Sequence, residues 1–285
     1  MSINLGAKER IIVALDTQDI TEVTAKVRLL APHVGMFKAG FELTEAVGTE
    51  RAIRAIKAAG GKVFRDGKFL DIPNTVKKAS QAVSAFGPEF FNLHIQAGDE
   101  AMKLAVAQKG NSQVLGVSIL TSFDPLEILE MFVGPYVRMT SEGDLTGELR
   151  AEYSALTLVD GRKEDIEMAK ERRTEYIRRL VLGFAEKAAK NGLDGLICSP
   201  QELQYLKVYG SSEVAALLKV VPGIRMPENS QDDQTRAGTP YQAILDGADY
   251  LVIGRPILTA ADPVAAAKAI AAEIERALNE LNARG

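Results

Sequence analysis

Eight short apolar runs, spaced along the chain and separated by stretches of helical periodicity, constrain its fold more than any other feature. The runs cover residues 11–15, 36–39, 63–68, 91–94, 114–120, 195–198, 218–221 and 250–253. A nearly continuous apolar run fits a strand buried on both faces, as in a parallel sheet covered by helices. Between the runs lie amphipathic stretches at 20–31, 50–59, 74–85 and 101–108, the second ended by the helix-stop pair Gly60-Gly61. The last stretch, 263–281, carries Val264, Ala267, Ile270, Ile274 and Leu278 on one stripe. Strict β-α alternation repeated eight times predicts an α/β chain closed into a (β/α)8 TIM barrel. The 285 residues suffice for one such barrel, which takes about 250. No repeat or low-complexity linker divides them, so 1–285 reads as a single domain.

One connection breaks the rhythm. About seventy residues separate Thr121 from Gly192, where one crossover helix would do. Residues 163–191 read as a single long helix, with Ile166, Ala169, Ile177, Leu180, Phe184 and Ala188 on one stripe. Residues 132–160 are mixed, contain Gly134-Pro135 and Gly143, and read as an excursion with its own short helix. This insertion, about 130–175, follows strand five, so it is expected to rise from the C-terminal face, where barrels of this kind carry their active sites.

Bulk properties narrow the function. The net charge of −4 and a pI near 5.5 argue against a nucleic-acid partner. The two histidines, His33 and His94, have no neighbours at ligand spacing, so no metal site is expected. The single cysteine, Cys198, permits no intrachain disulfide and suits a reducing compartment. There is no apolar signal core at the N-terminus and no run of 18 apolar residues, so the expectation is a cytoplasmic protein without a membrane partner.

The densest chemistry lies in 63–75, Val-Phe-Arg-Asp-Gly-Lys-Phe-Leu-Asp-Ile-Pro-Asn-Thr. Strand side chains alternate faces, so Asp66 and Lys68 are expected to point the same way. Asp71 follows on the loop, just before the next helix. A surface ion pair would also satisfy Asp66 and Lys68. However, charges on a strand buried on both faces are costly unless paired, and two other strand ends carry Asp16 and Lys38. In a barrel these ends converge on one mouth. A second constellation follows strands seven and eight, Pro222-Gly223-Ile224-Arg225 and Ile253-Gly254-Arg255-Pro256. These are where barrel enzymes often bind phosphate, although turn glycines and solvated arginines would read the same. Between them the polar stretch 226–233 is placed to act as a lid.

Taken together, Asp66-x-Lys68-x-x-Asp71-Ile72-Pro73-Asn74-Thr75, Ala14-Leu15-Asp16, Phe37-Lys38-Ala39-Gly40, Leu120-Thr121-Ser122, Gly192-Leu193-Asp194-Gly195, Asp233-Gln234 and the two glycine-arginine segments resemble the orotidine 5′-phosphate decarboxylase family. The motifs occur in family order across nearly the whole chain outside the insertion. The resemblance implies a cofactor-free, metal-free enzyme that converts orotidine 5′-phosphate to uridine 5′-phosphate (UMP) and carbon dioxide, the last step of de novo pyrimidine biosynthesis. It implies that Lys38, Asp66, Lys68 and Asp71 form an alternating charge network. Lys68 would protonate C6, and Asp71 would be supplied across a homodimer interface. Asp16 and Lys38 would hold the ribose hydroxyls. Thr121, with Ser122, would contact the pyrimidine, and Thr75 would also bind substrate. Arg255 and the Gly254 backbone would hold the 5′-phosphate, Arg225 would border it, and Gln234 would reach both phosphate and base.

The chain departs from the pattern at Gly67, where many members have a bulkier apolar residue, and at Leu70, often His. Two other readings share the scaffold. One is a magnesium-dependent sugar-phosphate lyase, which shares Asp-x-Lys-x-x-Asp but typically lacks Ile-Pro-Asn-Thr. The other is a nucleotide-binding protein without catalysis.

Overall fold

The computed structural model describes residues 5–123, 125–132, 163–226 and 238–284. Eight parallel strands close on themselves in chain order. They are β1 (Ile11–Ala14), β2 (Met36–Ala39), β3 (Val63–Phe69), β4 (Phe90–His94), β5 (Gln113–Val117), β6 (Gly195–Ile197), β7 (Leu218–Val221) and β8 (Tyr250–Ile253). β1 closes the ring by pairing with β8, Ile12 opposite Val252. Long helices follow β1 (Ile20–Leu30), β3 (Pro73–Ala85), β4 (Asp99–Ala107) and β8 (Pro263–Arg284), close to the expected stretches.

Period-two alternation sorts each strand's side chains between two cores. Outward residues such as Ile11, Val13, Phe37, Val63 and Phe91 pack under the helices. Inward residues Ile12, Met36, Phe64, Phe90, Leu115, Leu218, Val220 and Tyr250 fill the barrel. Phe90 lies edge-on to both Phe64 and Tyr250, with ring centroids 6.1 and 5.2 Å away. This plug closes the barrel below. Two residues further along five strands stand Ala14, Lys38, Asp66, Asn92 and Val117, the next inward layer. Four of these five line an open cavity. The same periodicity that builds the apolar plug therefore lifts the charged residues to the mouth.

Three features depart from the expected layout. β5 ends at Val117 rather than at residue 120, because Ser118 turns its N–H and hydroxyl onto the Ile197 carbonyl at 3.3 and 2.8 Å. Short helices occur where no stripe was discernible: Phe41–Val47, Leu203–Tyr209, Ser212–Ala216, Pro240–Leu245 and Arg255–Leu258. Two turns or fewer show too little periodicity to stand out. β3 runs to Phe69, one residue past its expected end, and is not a regular strand. The β5–β6 connection contains the helices Pro125–Phe132 and Lys163–Lys190, the second nearly coincident with the expected long helix. Most of the expected excursion, residues 133–160, lies outside the described residues. Among the described residues no helix is long and apolar enough to cross a membrane.

Candidate active site

β3 supplies the centre of the site, through an irregularity. Arg65 pairs with Phe91 of β4, but the next pair is Phe69 with Leu93. Three residues of β3 therefore stand opposite the single residue Asn92. Such a bulge bends the strand and re-aims its side chains. Asp66 and Lys68 do converge, with Lys68 Nζ 2.7 Å from Asp66 Oδ1, but not by simple alternation. Lys68 has φ 44°, the one positive value outside glycine among the described residues. Gly67 permits this packing. A Cβ there would sit 2.8 Å from Cε1 of Phe69, so the Phe69 ring occupies the space that a bulkier residue would need.

Lys38 on β2 stands on the other side of Asp66, with Nζ 3.3 Å from Asp66 Oδ2 and 3.4 Å from Asp16 Oδ1. The charges thus alternate as Asp16, Lys38, Asp66, Lys68. Asp16 is largely open, with its side chain 59% exposed, whereas Asp66 is at 9%. Burial pushes the Asp66 carboxyl up, but Lys38 and Lys68 outweigh it and bring it down to about 2. Burial pushes Lys38 down, but Asp66 and Asp16 outweigh it and hold the ammonium above its ordinary value. Half-buried His94, at the end of β4, is lowered by burial and by the Lys68 charge.

These groups form one wall of a cavity of about 280 Å³. Its other walls are apolar, including Phe64, Val117, Ile119, Ile197 and Val252. Its far side is polar again, with Arg225, the Gly254 backbone and Arg255 where β7 and β8 end. Thr121 borders it from the start of the β5–β6 connection. One end is therefore built for an anion and the other presents ammonium groups beside an apolar wall. The gap between them suits a flat, partly apolar ligand.

Three expected site residues lie elsewhere. Asp71, Thr75 and Ser122 are exposed and do not line the cavity. Asp71 accepts the Ile72 N–H at 2.7 Å, and exposed Leu70 and Ile72 flank it. Gln234 and nearly all of the expected lid, 227–233, lie outside the described residues. The residue that sequence reasoning missed is Asn92, whose Nδ2 donates to Asp66 Oδ1 at 2.8 Å. Its signal was a polar residue inside an apolar run, which demands a partner once buried. Among the described residues no group of three or more His, Cys, Asp or Glu is placed to hold a metal ion.

A family profile described as "Orotidine 5′-phosphate decarboxylase / HUMPS family" matches residues 9–270. The chain is 37% identical over 283 residues to the orotidine 5′-phosphate decarboxylase of Moorella thermoacetica, covering 96% of this chain and 95% of that one. It is 39% identical over 279 residues to the enzyme of the same name from Desulfosudis oleivorans, covering 95% of each. Among solved structures, orotidine 5′-phosphate decarboxylase from Lactobacillus acidophilus superposes with a TM-score of 0.66 at 28% identity, over 93% of this chain and 98% of that one.

Proposed function

From the premise that this chain belongs to the orotidine 5′-phosphate decarboxylase / HUMPS family, we propose that it decarboxylates orotidine 5′-phosphate to UMP. Carbon dioxide is the other product, the step is the last of de novo UMP synthesis, and the site of action is the cytoplasm. The whole chain acts as one barrel domain. The observation that carries the reading is the Asp16–Lys38–Asp66–Lys68 array beside an apolar wall, facing an arginine-lined end.

The 5′-phosphate lies against the Gly254 N–H and Arg255, with Arg225 at its border and Gln234 between phosphate and base. Asp16 and Lys38 hold the ribose. The pyrimidine then enters the apolar part of the cavity near Thr121 and Ser122, with Thr75 as a further contact. The C6–carboxylate bond breaks heterolytically, carbon dioxide leaves, and the electron pair remains on C6. The Lys68 ammonium stabilises that pair and transfers its proton to C6, after which solvent restores the proton to Lys68. A fixed cation in a water-poor cavity stabilises developing negative charge more than water does, because it needs no reorganisation. Asp66, ionised between two ammonium groups, holds both in place. No step calls for a cofactor.

The chain works as a homodimer, with Asp71 reaching the partner's Lys68. Support comes from exposed Leu70 and Ile72 beside Asp71, and from exposed Phe41, whose ring centroid is 5.9 Å from Lys68 Nζ. A subunit boundary would cover these apolar side chains. Mixing inactive Lys68→Ala and Asp71→Ala protomers should restore about a quarter of wild-type activity, since half the dimers then hold one intact site. No recovery after exchange would refute the shared site.

The direct test is the loss of orotidine 5′-phosphate absorbance in excess chelator. Sustained turnover is expected. Turnover that stops with chelator and returns with magnesium would move the chain to the metal-dependent branch, and UMP binding without turnover would make it a binding protein.

A further inference from the structure

Asn92 neither lines the cavity nor belongs to the motifs that carry the family resemblance, yet it is fully buried beside the site's most unusual backbone. Where β3 bulges, the ladder between β3 and β4 is interrupted from Arg65 to Phe69. A bulge leaves backbone groups without strand partners, and buried ones must find others. Side chains take over here. The Arg65 Nη1 donates to the Asp66 carbonyl at 2.8 Å. The Lys68 N–H donates to Asn92 Oδ1 at 2.6 Å. The other end of the same carboxamide donates to Asp66 Oδ1 at 2.8 Å, and that oxygen also receives Lys68 Nζ at 2.7 Å. Asn92 therefore closes a small ring through the Lys68 backbone, the Lys68 ammonium and the Asp66 carboxylate.

The φ of 44° at Lys68 gives this ring its meaning. The left-handed region is unfavourable for a residue with a Cβ, and such strain persists only where the surroundings over-determine it. Lysine has no short polar side chain to offset the cost locally. We propose that Asn92 is the positioning residue for Lys68: its carboxamide stands in for the missing strand partner, holds the Lys68 backbone left-handed, and so aims the ammonium at Asp66 and the cavity. The backbone conformation sets the direction in which the Cα–Cβ bond leaves the strand, and so the point from which the flexible stem starts. In the extended conformation Lys68 would lose the N–H contact and launch its side chain from another direction. Asn92 touches no substrate and acts only through Lys68 and Asp66.

The kinetic consequence rests on the reading that Lys68 serves orotidine 5′-phosphate, whereas the conformational consequence does not. The experiment therefore has two arms, on Asn92→Leu and Asn92→Asp. Leucine keeps the volume and removes both hydrogen bonds. Aspartate keeps the shape and the acceptor for the Lys68 N–H. Crystal structures of the unliganded variants should show Lys68 at negative φ and its Nζ out of hydrogen-bond reach of Asp66 in Asn92→Leu, with the left-handed Lys68 retained in Asn92→Asp. In the assay, Asn92→Leu should lose roughly 10²-fold in kcat with KM changed less than about threefold, the pattern of a misplaced reacting group. A folded Asn92→Leu with Lys68 still left-handed against Asp66, or with wild-type kcat, would overturn the proposal. So would an Asn92→Asp in which Lys68 reverts to negative φ, and this variant decides the matter alone if Asn92→Leu does not fold. A wild-type protein that fails to decarboxylate orotidine 5′-phosphate would refute the functional reading and leave the crystallographic arm to decide this one.

Discussion

Lys38, partly buried, and Lys219, buried, are both lysines on barrel strands, and the difference between them separates a site from a scaffold. Lys219, on β7, donates its ammonium to the carbonyls of Val214, Ala215 and Leu217 at 2.6, 3.0 and 2.7 Å. Those carbonyls lie at the C-terminal end of the short helix Ser212–Ala216, where the last carbonyls of a helix lack a full set of backbone partners. All three donors are spent on neutral oxygens, and burial leaves the ammonium below its ordinary pKa. Lys38 faces two carboxylates at longer range, 3.3 and 3.4 Å, beside an open cavity, and they hold its pKa above the ordinary value. Burial of a charge alone is therefore no mark of function. The mark is a charge whose partners are themselves charged and whose remaining side is open to a ligand.

The widest separation between these two ends should appear in turnover. Lys68→Ala is expected to lower kcat at least about 10³-fold with the fold intact, because it removes both the proton donor and the fixed cation. Lys219→Met should keep kcat within about threefold while lowering the melting temperature. Comparable kcat losses in the two variants would erase the distinction.

Affinity comes next. Arg255→Ala should weaken UMP binding roughly 10- to 100-fold, as expected for one charge-assisted phosphate contact. Uridine without its phosphate should bind both proteins alike in calorimetry. An equal loss for uridine would place Arg255 outside the phosphate site.

Stability against pH gives a smaller effect. The folded Asp66 carboxyl sits at about 2, below its ordinary 3.8, so the fold favours the ionised form. Its contribution is present above about pH 3.8 and disappears as pH falls through about 2. The depression corresponds to about 2 kcal/mol. The gap in urea midpoint between wild type and Asp66→Asn should shrink across that window. A gap independent of pH there would contradict the pairing.

The smallest effect has opposite signs at the two lysines. Lys38 is raised in the fold, so its contribution is complete below its unfolded pKa near 10.5 and is lost as pH climbs through the higher folded value. Lys219 is lowered, so the unfolded chain binds the extra proton between the folded value and 10.5, and stability attributable to it rises with pH there. Urea midpoints of wild type against Lys38→Met and Lys219→Met, followed from pH 9 to beyond 10.5, should diverge in opposite directions. Parallel trends would show that carboxylate and carbonyl partners do not separate the two lysines.

Much of the barrel was legible in the chain. Eight apolar runs gave the eight strands, most within a residue or two at each end, and the long stripes gave the major helices. Short helices were not legible because two turns carry no readable period. In the site, Asp16, Lys38, Asp66, Lys68, Arg225, Gly254 and Arg255 border one cavity, as strand-end placement had suggested, and Thr121, expected from the family resemblance, borders it too. The alternation argument for Asp66 and Lys68 reached the right convergence through a geometry that β3 does not have, since the bulge and the left-handed Lys68 bring them together.

What the sequence alone determined is the inventory: alternating elements, the chemistry gathered at their ends, and the motif that marks the family. These are properties of neighbouring residues, and local sterics and apolar period decide them. Only the tertiary structure decided that Asn92, 24 residues beyond Lys68, supplies the missing ladder partner, that Phe69 fills the space over Gly67, and that Asp71 lies exposed among apolar side chains. The first of these outcomes depends on the register between strands. Register is set by how the closed barrel packs, and no single segment contains it.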